Sequence, residues 1–133
     1  MSHQCGTVCR DGPVIDVIAN FAGVIRGGPL VELDSSELET VMNVNVGGTH
    51  TVTRAFFPLL RRAGEAASPV IIIVCSEISL SRLSAAFNAP YSMSKFALEG
   101  YATALRQELS LLADPVAVTV LNPGAMRTPM LWD

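Results

Sequence analysis

The chain reads as an α/β domain built on a parallel sheet, and three observations carry that expectation. Three short runs, residues 14–19, 70–75 and 116–121, are β-branched and almost wholly apolar, the pattern of strands buried in a parallel sheet. Between them lie stretches whose apolar residues recur at helical spacing, long enough to serve as crossover connections. Polar residues stand directly after each run, at Asn20, Ser76 and Asn122, where open α/β sheets bind their ligands. The order strand, helix, helix, strand, helix, strand then calls for right-handed crossovers.

Residues 1–13 mix Gly, Pro and polar side chains without periodicity and read as an irregular lead-in. The first strand empties into Asn20-Phe21-Ala22-Gly23, either a ligand-contacting turn or a simple one. Gly27-Gly28-Pro29 makes a loop, and Asp34 with Glu37 three residues on offers an N-cap. The helix that starts there carries Leu38, Val41 and Met42 on one face and runs toward Asn43-Val44-Asn45-Val46. A second helix is expected from Gly47 or Gly48 to Arg62, kinked at Pro58. Residues 64–69 form a loop of small side chains. The run 70–75 is the clearest strand, and its unbroken apolar character implies cover on both faces. Residues 78–90, rich in serine and without a sustained period, read as a loop able to line a pocket. Helix resumes near Pro90 and continues to about Leu112, where Asp114-Pro115 breaks it ahead of the third strand. Residues 125–133 form the tail, and no internal repeat is present.

The bulk composition narrows the function classes. With 133 residues, net charge −3, half the residues hydrophobic and 16% charged, the chain fits one domain with a well-supplied core. Scattered arginines in a mildly acidic chain leave no electrostatic footprint for nucleic acid. The longest strongly apolar run is far too short to span a bilayer, and residues 1–10 lack the apolar centre of a signal peptide, so the cytosol is the expected compartment. Cys5, Cys9 and Cys75 are odd in number and form no zinc-type pair of pairs, which argues against a disulfide framework and a metal site. His3 with Cys5 and Cys9 offers adventitious metal binding at most, and Cys75 reads as a small core residue.

Tyr91 and Lys95 are four residues apart at the start of the long helix, so the two side chains share a face. A neighbouring ammonium favours phenolate, and bringing a phenol from about 10 to near 7 takes roughly 4 kcal/mol of differential stabilisation. That would make Tyr91 a general acid/base. The alternative for an isolated pair is a part-exposed Tyr beside a solvated Lys. Lys95 is the only lysine in the chain, and Arg would not replace its compact point charge without changing the geometry.

Taken in order, Asn20-Phe21-Ala22-Gly23, Asn45, Ser76, Tyr91 with Lys95, and Pro123-Gly124 with Thr128 resemble the motif series of the short-chain dehydrogenase/reductase family. Each motif is unspecific alone; the ordered set is not, and the resemblance covers residues 14–130. It implies an NAD(P)-dependent oxidoreductase acting on a small-molecule alcohol or carbonyl, with Tyr91 exchanging a proton with the substrate oxygen. Lys95 would lower the Tyr91 pKa and bind the nicotinamide ribose. Ser76 would hydrogen-bond the reacting oxygen, with Ser79 as the alternative donor. Asn45 would position a water leading from Lys95 to solvent. Pro123, Gly124 and Thr128 would flank the nicotinamide, with Asn20, Ala22 and Gly23 toward the adenosine. Pro90-Tyr91, Ser94-Lys95 and the run 105–109 look most like hydroxysteroid or retinol type members.

Departures from the family pattern accompany the match. Phe21 replaces an Asn, and the interval from Ser76 to Tyr91 is longer than the family usually has. The glycine-rich strand-to-helix loop that grips the cofactor pyrophosphate at a helix N-terminus has no counterpart, since Gly27-Gly28 follows the Asn20 motif. The C-terminal substrate lid is missing as well. The resemblance therefore implies residues 1–133 as a single, incomplete NAD(P)-binding domain: a partial Rossmann-like, doubly wound parallel sheet lacking its first βαβαβ half-unit. Two other readings stand beside the enzyme: a catalytically impaired module that associates with itself or another chain through helices 48–62 and 91–112, and a truncated gene product.

Overall fold

The computed structural model describes residues 12–81 and 84–125. Three parallel strands, β1 (Val17–Asn20), β2 (Val70–Val74) and β3 (Ala117–Leu121), lie in the order β1-β2-β3. Ile18 is level with Ile71 and Ile71 with Val118; Asn20 is level with Ile73 and Ile73 with Val120. Those two rows form the covered face. Ile18, Ile71, Ile73 and Val118 join Leu60, Leu98, Ala102 and Leu109 in one core, where fully burying each large aliphatic side chain contributes about 1.5–3 kcal/mol. The helices supplying that cover are α2 (Gly48–Ala63) and α4 (Ala89–Leu111).

The opposite face differs from the expectation of two-sided cover. Val70, Ile72 and Val74 are only half-buried, and Val17 and Leu121 are 50% and 40% exposed. The β-branched run reports what the strand can bury; what packs on it is decided by the rest of the fold.

Helix α1 (Ser35–Met42) begins where expected, because the Asp34 carboxylate accepts both the backbone N–H and the hydroxyl of Ser36 at 2.9 Å. Glu37 does not return to the cap; it meets Arg26 at 3.0 Å on the surface, a pair of little energetic weight. The two expected helices are one helical run. A π turn at Asn43–Gly47 joins α1 to α2 with right-handed helical torsions at Met42, Gly47 and Gly48, and Pro58 lies inside α2. π turns insert an extra residue and recur at functional sites.

Residues 78–90 are not wholly a loop, since α3 (Glu77–Ser81) follows β2 directly. Serine hydroxyls turn back onto its own carbonyls, with Ser81 donating to the Glu77 carbonyl at 2.7 Å, so serine-rich composition coexists with a short helix. Gly27 and Gly28 also acquire a role here. A Cβ on Gly27 would stand 2.7 Å from the Phe87 carbonyl oxygen and 2.9 Å from Asn88 Oδ1, and the Gly28 N–H donates to that same carbonyl at 2.8 Å. The glycines thus lace the loop after β1 to the segment that launches α4. Asp114, whose side chain is 2% exposed, accepts Arg61 at 2.7 Å and ties the end of α4 to α2. No helix among the described residues is long and apolar enough to cross a membrane.

Candidate active site at the carboxyl edge of the sheet

Ser76 and Asn122 follow the carboxyl ends of β2 and β3, and the first turns of α4 deliver Tyr91 and Lys95 to the same edge. The register makes this convergence: Lys95 Nζ donates to the carbonyl of Val74, the last residue of β2, at 2.8 Å. Lys95 is 4% exposed. Its Nζ lies 5.3 Å from the Tyr91 ring centroid and 3.9 Å from where a Gly23 Cβ would stand. An ammonium has three donors, and the Val74 carbonyl is its one protein acceptor among the described residues. Burial lowers the Lys95 pKa below the ordinary value for lysine, with Cys75 opposing.

Tyr91 departs from the expected lowered phenol. Burial pushes its pKa above the ordinary value, the Ser76 hydroxyl opposes that rise, and Cys75 adds to it. The physical reason is placement: desolvation of the half-buried phenol is the largest contribution and outweighs the Ser76 hydrogen bond. Cys75, 2% exposed, has its thiol pushed up to about 12 by burial and by Glu99, with Lys95 opposing, and is inert at neutral pH.

Ser76 and Ser79, alternatives from the sequence, take different parts. The Ser76 hydroxyl faces Tyr91 and accepts the Ile78 N–H at 3.3 Å. The Ser79 hydroxyl donates at 2.7 Å to the Ser76 carbonyl and is turned to its neighbours instead of the phenol. Asn122, named in the sequence only as the polar residue after β3, accepts the Ser76 N–H at 3.2 Å. Glu99, one turn beyond Lys95, stands 3.3 Å from the Ser79 hydroxyl; its spacing from Tyr91 and Lys95 was the available signal.

Asn45 is fully buried and its side chain is engaged by protein atoms. Its Oδ1 accepts the Val24 N–H at 2.7 Å, and its Nδ2 donates to the Val24 carbonyl at 3.0 Å and to Ser94 Oγ at 2.9 Å. Its backbone carbonyl accepts the Thr49 hydroxyl at 2.8 Å. The amide pins the loop after β1 to α4, which leaves no side-chain donor for the water expected there. Asn20 likewise spends its amide on Thr53 at 3.2 Å. Ala22 is exposed, and Gly23 stands beside Asn45 and Lys95, not apart from them. The Pro123 carbonyl accepts the Glu77 N–H at 3.0 Å, and a Cβ on Gly124 would meet Glu77 Oε2 at 3.2 Å. Thr128, Cys5 and Cys9 lie outside the described residues.

A parallel α/β sheet with a Ser, Tyr and Lys gathered at its carboxyl edge has its polar side chains where open α/β sheets bind their ligands. Comparison with known proteins gives the family. The family model described as short chain dehydrogenase matches residues 5–133. An NADPH-dependent pterin aldehyde reductase of Arabidopsis thaliana is 35% identical over 98% of this chain and 50% of its own length. Retinol dehydrogenase 8 of Bos taurus is 31% identical over 90% of this chain and 36% of its own. A crystal structure of a short chain dehydrogenase from Salmonella enterica superposes with a TM-score of 0.78 at 32% identity, covering 90% of this chain and 46% of that one. The chain belongs to the short-chain dehydrogenase family, and it spans about half or less of the length of these relatives.

Proposed function

We propose that this edge is the catalytic part of an NAD(P)-dependent oxidoreductase site that interconverts an alcohol and a carbonyl compound, with Tyr91 as acid/base. The observation that carries the reading is Lys95: a buried ammonium with one protein acceptor, open toward Gly23, where the absence of a side chain leaves a cradle. That donor set suits the vicinal hydroxyls of a ribose, and Lys95 would hold the nicotinamide ribose there, with Gly23, Pro123, Gly124 and Thr128 around it. When bound, the dinucleotide supplies or accepts the hydride.

The chain's own residues handle the proton. A phenol held above its ordinary pKa stays protonated at neutral pH and acts as an acid toward a carbonyl oxygen gaining charge. Ser76 presents a second hydroxyl to the same oxygen, and two positioned donors are what a developing oxyanion requires. Both reductive and oxidative relatives fit this reading by name, an aldehyde reductase and a retinol dehydrogenase. The expected partner is a small aldehyde, ketone or alcohol, and the expected compartment is the cytosol.

A second reading, an association module, is favoured by Val52, Phe56 and Phe96, which are 40%, 46% and 37% exposed on α2 and α4. Titrating NADH and NADPH into the chain, followed by nicotinamide fluorescence, tests the first reading. Binding in the millimolar range that Lys95→Met weakens at least tenfold supports it. No binding at that concentration overturns it, and self-association in light scattering then favours the module.

A further inference from the structure

The backbone of Ser76 is held from both sides by side chains that the functional reading leaves unused. Its N–H goes to Asn122 Oδ1 at 3.2 Å. Its carbonyl receives the Ser79 hydroxyl at 2.7 Å and the Ser79 N–H at 3.0 Å. Ser79 is 6% exposed, and its hydroxyl oxygen also lies 3.2 Å from Asn122 Oδ1 and 3.3 Å from Glu99 Oε1. A hydroxyl has one proton, and the shortest contact takes it to the Ser76 carbonyl. Because Asn122 Oδ1 already receives the Ser76 N–H, the amide orientation is fixed. Two further backbone bonds frame the same residue: Cys75 N–H to the Leu121 carbonyl at 2.8 Å, and Glu77 N–H to the Pro123 carbonyl at 3.0 Å.

We propose that Ser79 and Asn122 are positioning residues that hold Ser76 so that its hydroxyl stays directed at the Tyr91 phenol. The inference rests on the reading of Ser76 and Tyr91 as a working pair. A strand end is a place where the ladder stops and torsions loosen. Ser76 is the second residue past β2; without these two side chains its own N–H loses its partner and its carbonyl keeps only the α3 backbone bonds. Lys95 and Cys75 also bear on the phenol, and Glu99 lies against Ser79; all three are kept constant in the test.

The measurement is ionisation of the phenol itself in the full chain, without cofactor. Tyr101→Phe leaves Tyr91 as the only tyrosine, since the chain has two. Biosynthetic 3,5-difluorotyrosine, which ionises well below tyrosine, brings the titration into a range where the fold persists, and fluorine NMR reads the midpoint. Ser76→Ala is the calibration: it raises the midpoint by removing a group that favours phenolate. Ser79→Ala and Asn122→Ala each raise it in the same direction, by about half a unit or more, a threefold or greater loss of phenolate at fixed pH. Ser79→Thr, which keeps the hydroxyl, restores the parent value.

If Ser76→Ala moves the midpoint while Ser79→Ala and Asn122→Ala lower only the melting temperature, the positioning role is refuted and the Ser76–Tyr91 pair stands. If Ser76→Ala leaves the midpoint unchanged, the pair itself fails and the positioning role with it. Should Ser79→Ala fail to fold, Asn122→Ala, on the loop after β3, decides alone.

Discussion

Replacing Asn45 by Ala separates two accounts of this residue. If Asn45 serves only to position a water, losing the side chain is nearly silent for stability. The structure gives the side chain three hydrogen bonds, two to the backbone of Val24 and one to Ser94 Oγ, from a position with 0% exposure. A net hydrogen bond is worth about 1 kcal/mol, and a buried partner left unsatisfied costs about 1–3 kcal/mol. Val24 is half-buried, so water recovers part of its loss. Ser94 keeps its bond to the Tyr91 carbonyl at 2.7 Å. The sum is roughly 2–4 kcal/mol, a large share of the roughly 5–15 kcal/mol that stabilises a domain. In urea, where the slope is about 1–3 kcal/mol per molar, the midpoint falls by about 1–2 M. Asn45→Asp keeps the acceptor for Val24 but loses both donors and buries a charge. Its folded carboxyl pKa lies above the unfolded one, so its stability declines further as pH rises through that window. A loss below about 1 kcal/mol for Asn45→Ala refutes the argument that this amide pins the loop.

Two further outcomes follow from contacts and burial. Gly27→Ala drives a methyl into the Phe87 carbonyl and Asn88 and lowers stability by about 1–3 kcal/mol. Gly100→Ala, in α4 with nothing within 4 Å, raises it by about 0.5–1 kcal/mol; thermal melts that shift together refute the steric account. For Lys95, a lowered folded pKa means that the buried charge costs stability at pH 7 and that the cost is relieved as pH rises from the lowered value toward 10.5. Lys95→Met therefore melts higher than the parent at pH 7, by on the order of 1 kcal/mol, and the gap narrows toward pH 10. A Met variant that melts lower at pH 7, or a gap that widens with pH, overturns the reasoning.

The strands were legible because β-branched runs of this length have few other uses. The observed starts at Val17 and Ala117 fall one to three residues inside the expected ones, where pairing with β2 begins. The Asp34 cap was legible because its chemistry is local. The π turn was not: an inserted residue leaves the apolar spacing on either side intact, and Gly47-Gly48 imitates a break. Helix α3 is too short to display a period. Residue order predicted that Ser76, Tyr91 and Lys95 meet at one edge, since parallel strand ends share it. Charge behaviour was beyond reach, because the sign of the Tyr91 shift depends on how deeply the folded chain buries the phenol. The link from Gly27 and Gly28 to Phe87 spans about half the chain and has no local signature.

The way Lys95 is enclosed has a practical corollary. It is the sole lysine and almost entirely walled in, so apart from the chain's own α-amino group an amine-reactive label has a single target, and it must wait for the helix–sheet contact to part. Labelling of Lys95 therefore clocks the opening of α4 away from β2, and a ligand seated on its ammonium would slow that clock. The residue at the centre of the chemistry doubles as a gauge of how often the site comes undone.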